Sequence, residues 1–273
     1  RHVGLLLVFL ASVLVELTSA NVCAVIPARF ASTRFRGKLL KPLMGKPLLQ
    51  LTYEHVAKAS LVDSVWIATE SSELAEAARK FTSNVIMTSD KPINGMERIG
   101  EAEAQLPAEC TTLVNVHGDE PFVDPEHVNA VVKKFSEAAA QGGEGELVTT
   151  LRRKIKNEEE GMNRGIIKMV LGPNDRIQYL SRALVPHSKK GDFDTTFDYW
   201  SHINIHCFPR GFASKYSAAA QLPAQQREDV EYLRILFMGT RYISSEVGES
   251  ERDVNTEEDY HWLVNKYGKS GEL

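Results

Sequence analysis

Apolar residues follow two different spacings along the first half of this chain. Short continuous apolar runs at 22–26, 64–69 and 111–116 have the length and composition of buried strands. Segments between them, such as PLLQLTYEHVAKA at 47–59, instead repeat apolar residues at helical spacing. Further helices are predicted at 74–80, after a cap at Ser71 or Ser72, and at 97–106 and 125–141. We therefore predict an α/β fold in which helices connect the strands of a mostly parallel sheet.

The second half of the chain, after a polar loop at 141–146, shows a different pattern. Short apolar runs follow one another with few helices between them, which predicts antiparallel or mixed pairing. Residues 186–199 are polar and aromatic without a clear period, and we predict a flap or dimerisation arm at 186–222. The other predicted elements of this half are strands at 147–153, 166–172, 176–182, 201–208 and 242–247, a helix at 228–239 and a last helix begun by Thr256.

The length of 273 residues predicts one main domain, at 21–273, preceded by a hydrophobic segment at 1–20. That segment is broken by Glu16 and ends in small residues, and its apolar run is shorter than the roughly 20 residues that span a bilayer. This pattern fits either a signal sequence or a membrane anchor. Membrane association through this segment is therefore one expectation, and the sequence does not assign the protein to a cellular compartment.

Composition and charge narrow the class of protein. Hydrophobic content of 43%, charged content of 25% and a net charge of -4 are typical of a soluble globular protein and argue against a nucleic-acid binder. Three cysteines, Cys23, Cys110 and Cys207, form no C-x-x-C pair and have no metal-ligand spacing. We therefore expect a reducing compartment.

Four cations follow the first predicted strand without an intervening acid. They are Arg29, Arg34, Arg36 and Lys38. Open α/β sheets bind ligands at the carboxyl ends of their strands, so this loop is placed to bind a polyanion such as a triphosphate. The loop also contains the turn-forming residues Pro27 and Gly37, and Ser32 and the backbone amides supply hydrogen-bond donors. This combination favours a phosphate-binding loop over a basic turn that only contacts solvent.

A carboxylate follows the predicted strand at 111–116. The sequence HGDEP at 117–121 delivers Asp119 to the same edge of the sheet as the basic loop. A carboxylate there can hold Mg²⁺ against phosphate oxygens, because hard cations prefer oxygen ligands. A lone acidic turn would more simply cap the next helix, but its pairing with the basic loop favours a nucleotide and metal site.

Several sequence blocks, in order along the chain, cover nearly everything after Asn21. They are IPARFASTRFRGK at 26–38, GKPLL at 45–49, NGMERIGEA at 94–102, NVHGDEP at 115–121, IIKMVL at 166–171, YLSRALVP at 179–186, His202 and EDVEYLRIL at 228–236. In these blocks the chain resembles the 3-deoxy-manno-octulosonate (Kdo) cytidylyltransferases, or CMP-Kdo synthetases. The resemblance implies a three-layer nucleotide-diphospho-sugar transferase fold and a Mg²⁺-dependent homodimer that transfers CMP from CTP to an eight-carbon keto sugar acid.

The resemblance also implies roles for individual residues. Arg29, Lys38 and Asp119 would be catalytic, Lys38 by neutralising the leaving group and Asp119 by holding the metal. Two larger sets would bind the substrates. CTP would contact Pro27, Ala28, Arg29, Ser32, Arg34, Lys38, Gly95 and Arg98, and the sugar would contact Arg98, His117, Lys168, His202 and Glu231. Arg98 and Lys168 are candidates for the sugar carboxylate, with a surface ion pair as the alternative for each.

Four positions depart from the family pattern. His117 stands where Gln is usual, Asn204 where Gly is usual, and His206 where an aromatic hydroxyl is usual. Asn255 stands in place of the second metal carboxylate, and an amide brings no negative charge. Asp253 lies two residues earlier, on the same face of an extended segment, and could supply the missing negative charge. The candidate metal ligands are therefore Asp119, Asp253 and Asn255.

These departures keep two alternatives open. One is the same reaction on another keto sugar acid, of the sialic acid type, because pocket contacts rather than the phosphate loop select the sugar. The other is a non-catalytic CTP-binding homologue, which Asn255 suggests and which the intact Arg29, Lys38 and Asp119 argue against.

Overall fold

A mixed sheet of nine strands forms the centre of the protein. The computed structural model describes residues 21–31 and 34–268, so the hydrophobic segment at 1–20 and Ser32 lie outside the described residues. Within those ranges no helix is both long and apolar enough to cross a membrane. The strands are β1 (Val22–Ala28), β2 (Pro42–Leu43), β3 (Lys46–Pro47), β4 (Ser64–Thr69), β5 (Val85–Met87), β6 (Thr112–Asn115), β7 (Leu147–Lys154), β8 (Lys168–Leu171), β9 (Ile177–Ser181), β10 (Trp200–Pro209) and β11 (Arg241–Glu246), with β2 and β3 paired apart from the main sheet.

The helices cover both faces of this sheet, which gives the predicted three-layer α/β fold. They are α1 (Leu48–Val56), α2 (Ser72–Ala78), α3 (Gly95–Ala102), α4 (Pro125–Ala140), α5 (Glu158–Met162), α6 (Phe212–Ala218), α7 (Pro223–Glu228), α8 (Leu233–Phe237) and α9 (Glu257–Tyr267), with short 3-10 turns at Lys38–Leu40, Glu103–Gln105 and Pro173–Asp175. Ser71 caps α2 and Thr256 caps α9, as the sequence predicts.

Strand order places several carboxyl ends at one edge of the sheet. The main path runs β11-β7-β10-β6-β1-β4-β5, with β8 and β9 attached to β10. Strands β5, β4, β1 and β6 are parallel, and β10 runs antiparallel between β6 and β7. In register, Val25 of β1 lies beside both Trp66 of β4 and Asn115 of β6. The loops after β1 and β6 therefore leave the sheet side by side, next to the beginning of β10.

The alternation of β1 shows how the sequence builds two cores. Cys23 and Val25 point into one apolar cluster, which α3, α6 and α8 cover, whereas Ala24 and Ile26 point into the other, which α1, α2 and α4 cover. Gly100 allows α3 and α6 to pack closely on the first of these clusters, because a Cβ there would lie 2.6 Å from the backbone oxygen of Ala213 in α6. A strand buried on both faces explains the continuous apolar run in the sequence.

Two sequence-based expectations about the elements need correction. The helix predicted at 228–239 is only Leu233–Phe237 (α8), because α7 ends at Glu228 and Asp229 adopts a left-handed conformation with φ 51°. The predicted arm at 186–222 is too long, since β10 lies inside the main sheet and α6 packs on its core, which leaves 186–199 as the irregular part. A dimerisation role for that part stays a prediction.

The cysteines differ from the expectation of free thiols. Cys23 and Cys110 form a disulfide, and Cys207 is free and buried. The pairing follows from strand order, because Cys23 lies opposite Leu113 of β6 and Cys110 comes just before that strand. Sequence spacing could not reveal it, since 87 positions separate the two residues.

Candidate active site

A cleft of about 1200 Å³ opens at the edge of the sheet where β1 and β6 end. The loops after β1, β6 and β11 line it, together with the beginnings of α3 and β10. Its size exceeds the roughly 300–1000 Å³ of sites for one drug-sized ligand. The cleft therefore has room for two substrates side by side.

Lys38 and Asp119 meet at the floor of this cleft. The Lys38 Nζ lies 2.5 Å from Asp119 Oδ2 and donates to the backbone oxygen of Val254 at 2.7 Å. Burial by itself raises the pKa of the Asp119 carboxyl, but the charges of Lys38 and His117 and the hydrogen bonds to the carboxylate together more than offset this, so that the pKa lies below its ordinary value. An ammonium has three donors, and the third is left for a ligand. The structure thus joins two of the three predicted catalytic residues.

The segment after β11 brings a second carboxylate to Asp119. The Val254 backbone N–H donates to the Asp119 backbone oxygen at 2.9 Å, which fixes this segment against the loop after β6. Burial and the negative charge of Asp119 raise the pKa of Asp253 to about 7. Asn255 instead accepts a hydrogen bond from Arg34 at 3.2 Å. The tertiary structure therefore pairs Asp253 with Asp119 and turns Asn255 towards the basic loop.

Glu120 is a third carboxyl at this point, and sequence reasoning did not assign it a role. It is buried, and its Oε1 has no hydrogen-bond partner. Burial, with the charges of Asp253 and Asp119, raises the pKa of Glu120 well above its ordinary value. Its position next to Asp119 in the sequence was the available signal.

The donor set fits a hard divalent cation. Two carboxylates that repel each other in a partly buried site gain free energy when a cation lies between them. Among the described residues no three His, Cys, Asp or Glu side chains are arranged as a complete metal cage. Mg²⁺ needs none, because it is commonly held by one or two carboxylates, with waters and substrate phosphates completing its shell. Asp119 and Asp253 would be the protein ligands.

The basic loop lines the cleft as the sequence predicts. Pro27, Arg29 and Arg34 reach the cleft wall, whereas Ala28 is fully buried at the end of β1. Arg29 donates to the backbone oxygen of Ile93 at 2.9 Å, which ties this loop to the segment before α3. Arg29 and Arg34 therefore lie at the same cleft as the carboxylate pair, whereas Arg36 does not line it and lies 5.7 Å from the centre of the Phe30 ring.

Gly95 and Arg98 belong to α3, but only Gly95 reaches the cleft. A Cβ on Gly95 would lie 3.2 Å from the Pro27 ring, so a side chain here would crowd the basic loop. Arg98 is 1% exposed and pairs with Glu70 at 2.9 Å, away from the cleft wall. A direct contact of Arg98 with CTP or the sugar has no support in this conformation.

Lys168 also lies behind the cleft wall. It is fully buried, and its Nζ donates to the backbone oxygens of Asn163, Ile166 and Arg182 at 2.7 to 2.9 Å. Burial lowers its pKa to about 8. All three donors are used, so none is left for a sugar carboxylate. The residue instead holds together the chain around Asn163 and Ile166, which do line the cleft.

The other predicted sugar residues do line the cleft. His117 Nε2 lies 2.5 Å from the Tyr232 hydroxyl and 3.8 Å from Glu231 Oε1. His202 is buried, which lowers its pKa to about 3 and keeps the imidazole neutral. Glu231 lines the cleft, and its Oε2 is buried without a hydrogen-bond partner among the described residues.

A buried ring cluster supports these residues, and sequence reasoning missed most of it. The His206 ring stacks on Tyr232 with centroids 3.9 Å apart, and His206 Nε2 lies 2.7 Å from the Tyr242 hydroxyl. His202 Nε2 lies 3.2 Å from the same hydroxyl and 3.0 Å from Thr150 Oγ1. Distant strands bring these polar rings together, so no local sequence pattern marks the cluster.

Comparisons with known proteins agree with this geometry. The family model described as cytidylyltransferase matches residues 23–244. The 3-deoxy-manno-octulosonate cytidylyltransferase, mitochondrial, of Arabidopsis thaliana is 35% identical over 240 residues, which cover 88% of this chain and 81% of the relative. That of Protochlamydia amoebophila is 34% identical over 251 residues, which cover 90% of this chain and 95% of the relative.

Solved structures show the same relationship. A CMP:2-keto-3-deoxy-manno-octonic acid synthetase complexed with CTP superposes with a TM-score of 0.82 at 26% identity, covering 92% of this chain and 100% of that chain. A cytidylyltransferase from Leptospira borgpetersenii shares the fold with a TM-score of 0.56 at 18% identity, covering 90% of this chain and 87% of that chain. The chain therefore belongs to the cytidylyltransferase family, and within it to the 3-deoxy-manno-octulosonate cytidylyltransferases.

Proposed function

We propose that this protein transfers CMP from CTP to 3-deoxy-manno-octulosonate and releases pyrophosphate, with Mg²⁺ as its cofactor. The observation that carries the proposal is the pairing of Lys38 with Asp119, at 2.5 Å, between a basic loop and a second carboxylate. A solved relative of the same fold was complexed with CTP, and relatives at 34–35% identity are named for this transfer.

The reaction needs alignment and charge neutralisation. The anomeric hydroxyl of the sugar acid attacks the α-phosphorus of CTP, and the bond to the β-phosphate oxygen breaks as pyrophosphate leaves. Arg29 and Arg34 would bind the phosphates, and the third donor of Lys38 would neutralise the leaving group. When bound, Mg²⁺ supplies further charge neutralisation and lowers the pKa of the attacking hydroxyl. Asp119 and Asp253 would hold it.

The sugar would lie against the part of the cleft wall that His117, His202 and Glu231 line. Glu231 and the His117 ring are placed to contact sugar hydroxyls. Burial keeps the His202 imidazole neutral, so the ring would form hydrogen bonds with sugar hydroxyls rather than an ion pair with the sugar carboxylate. Gly95 would admit the nucleotide close to Pro27, since the cleft is narrow at that point.

The test is pyrophosphate release by the full chain with CTP, Mg²⁺ and either 3-deoxy-manno-octulosonate or sialic acid. We expect release with 3-deoxy-manno-octulosonate alone, and its loss when a chelator removes the metal. Release with sialic acid only would assign the same reaction to another sugar acid. CTP binding without release from either sugar would indicate a non-catalytic homologue or a different acceptor.

We further propose that the protein is a homodimer and that the exposed Phe197 in the segment 186–199 contributes to the interface. Phe197 is 47% exposed, and its ring lies 4.9 Å from that of Tyr199, which also stacks on Phe193 at 4.8 Å. Light scattering should give twice the chain mass, and Phe197→Asp should shift it towards the monomer. Membrane association through residues 1–20 is a separate proposal, and vesicle flotation of the full chain against one lacking that segment tests it.

A further inference from the structure

Arg98 and Glu70 form an ion pair, and neither residue lines the cleft. Arg98 lies in α3 and is 1% exposed, and its Nη1 lies 2.9 Å from Glu70 Oε2. The same nitrogen donates to the Thr88 hydroxyl and, at 3.3 Å, to the Ser89 backbone oxygen. The guanidinium is therefore anchored by the Thr88 hydroxyl and the Ser89 backbone, and its charge lies beside Glu70 Oε2, which accepts no hydrogen bond from the described residues.

The other oxygen of Glu70 contacts the basic loop. Glu70 Oε1 accepts a hydrogen bond from the Phe30 backbone N–H at 3.1 Å. The Phe30 backbone oxygen in turn accepts from the Gly37 N–H at 3.2 Å, and Gly37 is in the left-handed region with φ 67°. Phe30 thus closes the base of the loop that carries Arg29, Arg34 and Lys38, and its amide is fixed by Glu70.

Burial makes this link rigid. The guanidinium of Arg98 is removed from water and has Glu70 as its anionic partner, so moving the carboxyl away would leave a buried charge unpaired. A surface ion pair would exert no comparable constraint, because water can replace either partner. The position of Glu70, and with it that of the Phe30 amide, is therefore set by α3.

We propose that Arg98 and Glu70 are positioning residues, which hold the basic loop in the form that binds the triphosphate of CTP. The inference rests on the proposed function, since it assigns the loop to phosphates. It also gives Arg98 a role different from the direct contact that its place in the sequence suggests. Because the link ends at the base of the loop, it acts on the phosphates rather than on the cytosine or the sugar.

The test compares ligands that differ only in phosphates. The double variant Glu70→Leu with Arg98→Met removes both charges together, since replacing a buried pair by apolar residues is often tolerated. Calorimetry with Mg²⁺ present measures the affinity of each nucleotide. We expect the double variant to bind CTP about tenfold more weakly than the wild type, which corresponds to the loss of one charge-assisted contact. Its affinity for CMP should stay within about twofold of the wild-type value. In turnover, KM for CTP should rise while KM for the sugar acid does not.

Two further proteins make the result decisive. Glu101→Gln is the matched control, because Glu101 binds Ser89 at 2.6 Å from the same helix but does not contact the basic loop. Arg98→Lys keeps the charge, should retain part of the CTP affinity, and serves in place of the double variant if that does not fold. Equal losses for CTP and CMP, or the same pattern in Glu101→Gln, would overturn the inference while leaving the proposed function intact. Wild-type protein that bound no CTP would overturn both.

Discussion

At the scale of single residues, the carboxyl pair of Asp119 and Asp253 sets this site apart. The family pattern places its second carboxylate where this chain has Asn255, yet the structure turns Asn255 to Arg34. Asp253 instead lies beside Asp119, and burial together with the negative charge of Asp119 raises its pKa to about 7. The negative charge lost at one position is therefore present two residues earlier.

We predict that Asp253→Asn lowers kcat roughly 100-fold, because it removes a charge that would hold the metal against the phosphate. Asn255→Asp should change kcat far less, since that position contacts Arg34 rather than Asp119. Steady-state kinetics over a range of Mg²⁺ concentrations measures both effects, and the half-saturating Mg²⁺ concentration should rise only in Asp253→Asn. A large rise in kcat from near zero in Asn255→Asp would instead support a protein that has lost turnover.

The buried imidazoles predict how stability depends on pH. Burial lowers the pKa of His202 to about 3 and that of His206 well below its ordinary value of 6.5. Below pH 6.5 the unfolded chain therefore binds protons that the folded protein does not. Each histidine therefore takes up a proton when the chain unfolds. The free energy of unfolding should fall as the pH drops below 6.5, because a higher proton concentration favours the unfolded state.

The variant His206→Phe isolates this contribution, because a phenyl ring can keep the stacking on Tyr232. Urea unfolding between pH 6 and 4.5 should give a slope smaller than that of the wild type by about 1.4 kcal/mol per pH unit. Glu120 and Asp253 titrate in both proteins, so their effect cancels in the difference. Parallel curves would show that His206 is charged in the folded protein.

At the scale of elements, the start of α9 combines stability with site geometry. Thr256 accepts from the Asp259 N–H at 3.2 Å, and Asp259 Oδ2 accepts from the backbone N–H groups of Asn255 at 3.0 Å and Thr256 at 2.8 Å. This capping box fixes the segment that carries Asp253 onto a helix. The sequence predicted the cap, since Thr256 precedes acidic residues and a helical apolar pattern.

Thr256→Ala should lower the free energy of unfolding by about 1 kcal/mol, since it removes one half of the capping box. Thr195→Ala, at an exposed position in the irregular segment, is the control and should lie within about 0.5 kcal/mol of the wild type. Chemical unfolding followed by circular dichroism measures both. Equal effects of the two substitutions would contradict the role of the cap.

Helix boundaries show where pattern reasoning stops at this scale. The periodic segment at 228–239 reads as one helix, but Asp229 adopts a left-handed conformation and ends α7. The break turns Glu231 and Tyr232 towards the cleft, where His117 contacts the Tyr232 hydroxyl. Apolar spacing indicates only which residues are buried. It did not reveal this turn, because the turn depends on contacts with residues distant in the sequence.

At the scale of the whole molecule, the disulfide between Cys23 and Cys110 ties the beginning of β1 to the chain before β6. The bond closes a loop with a sequence separation of 87 residues. Constraining so long a loop restricts the unfolded chain, so Cys110→Ser should lower the free energy of unfolding by about 2–4 kcal/mol.

Adding reductant should lower the stability of the wild type towards that of Cys110→Ser and leave the variant itself unchanged. Mass spectrometry after alkylation without reduction should find one modified cysteine, Cys207, once the protein is denatured. Three modified cysteines would show that the bond is absent from the isolated protein.

The sequence by itself determined most of the strands and helices, the α/β class, the basic loop and Asp119, because each is written in local apolar spacing or in a contiguous motif. Only the tertiary structure decided that Asp253 comes beside Asp119, that Cys23 pairs with Cys110, and that the buried Arg98 pairs with Glu70. Local patterns report what a segment buries. Which charges meet inside the molecule depends on strand order and register, and these are fixed by packing across the whole chain.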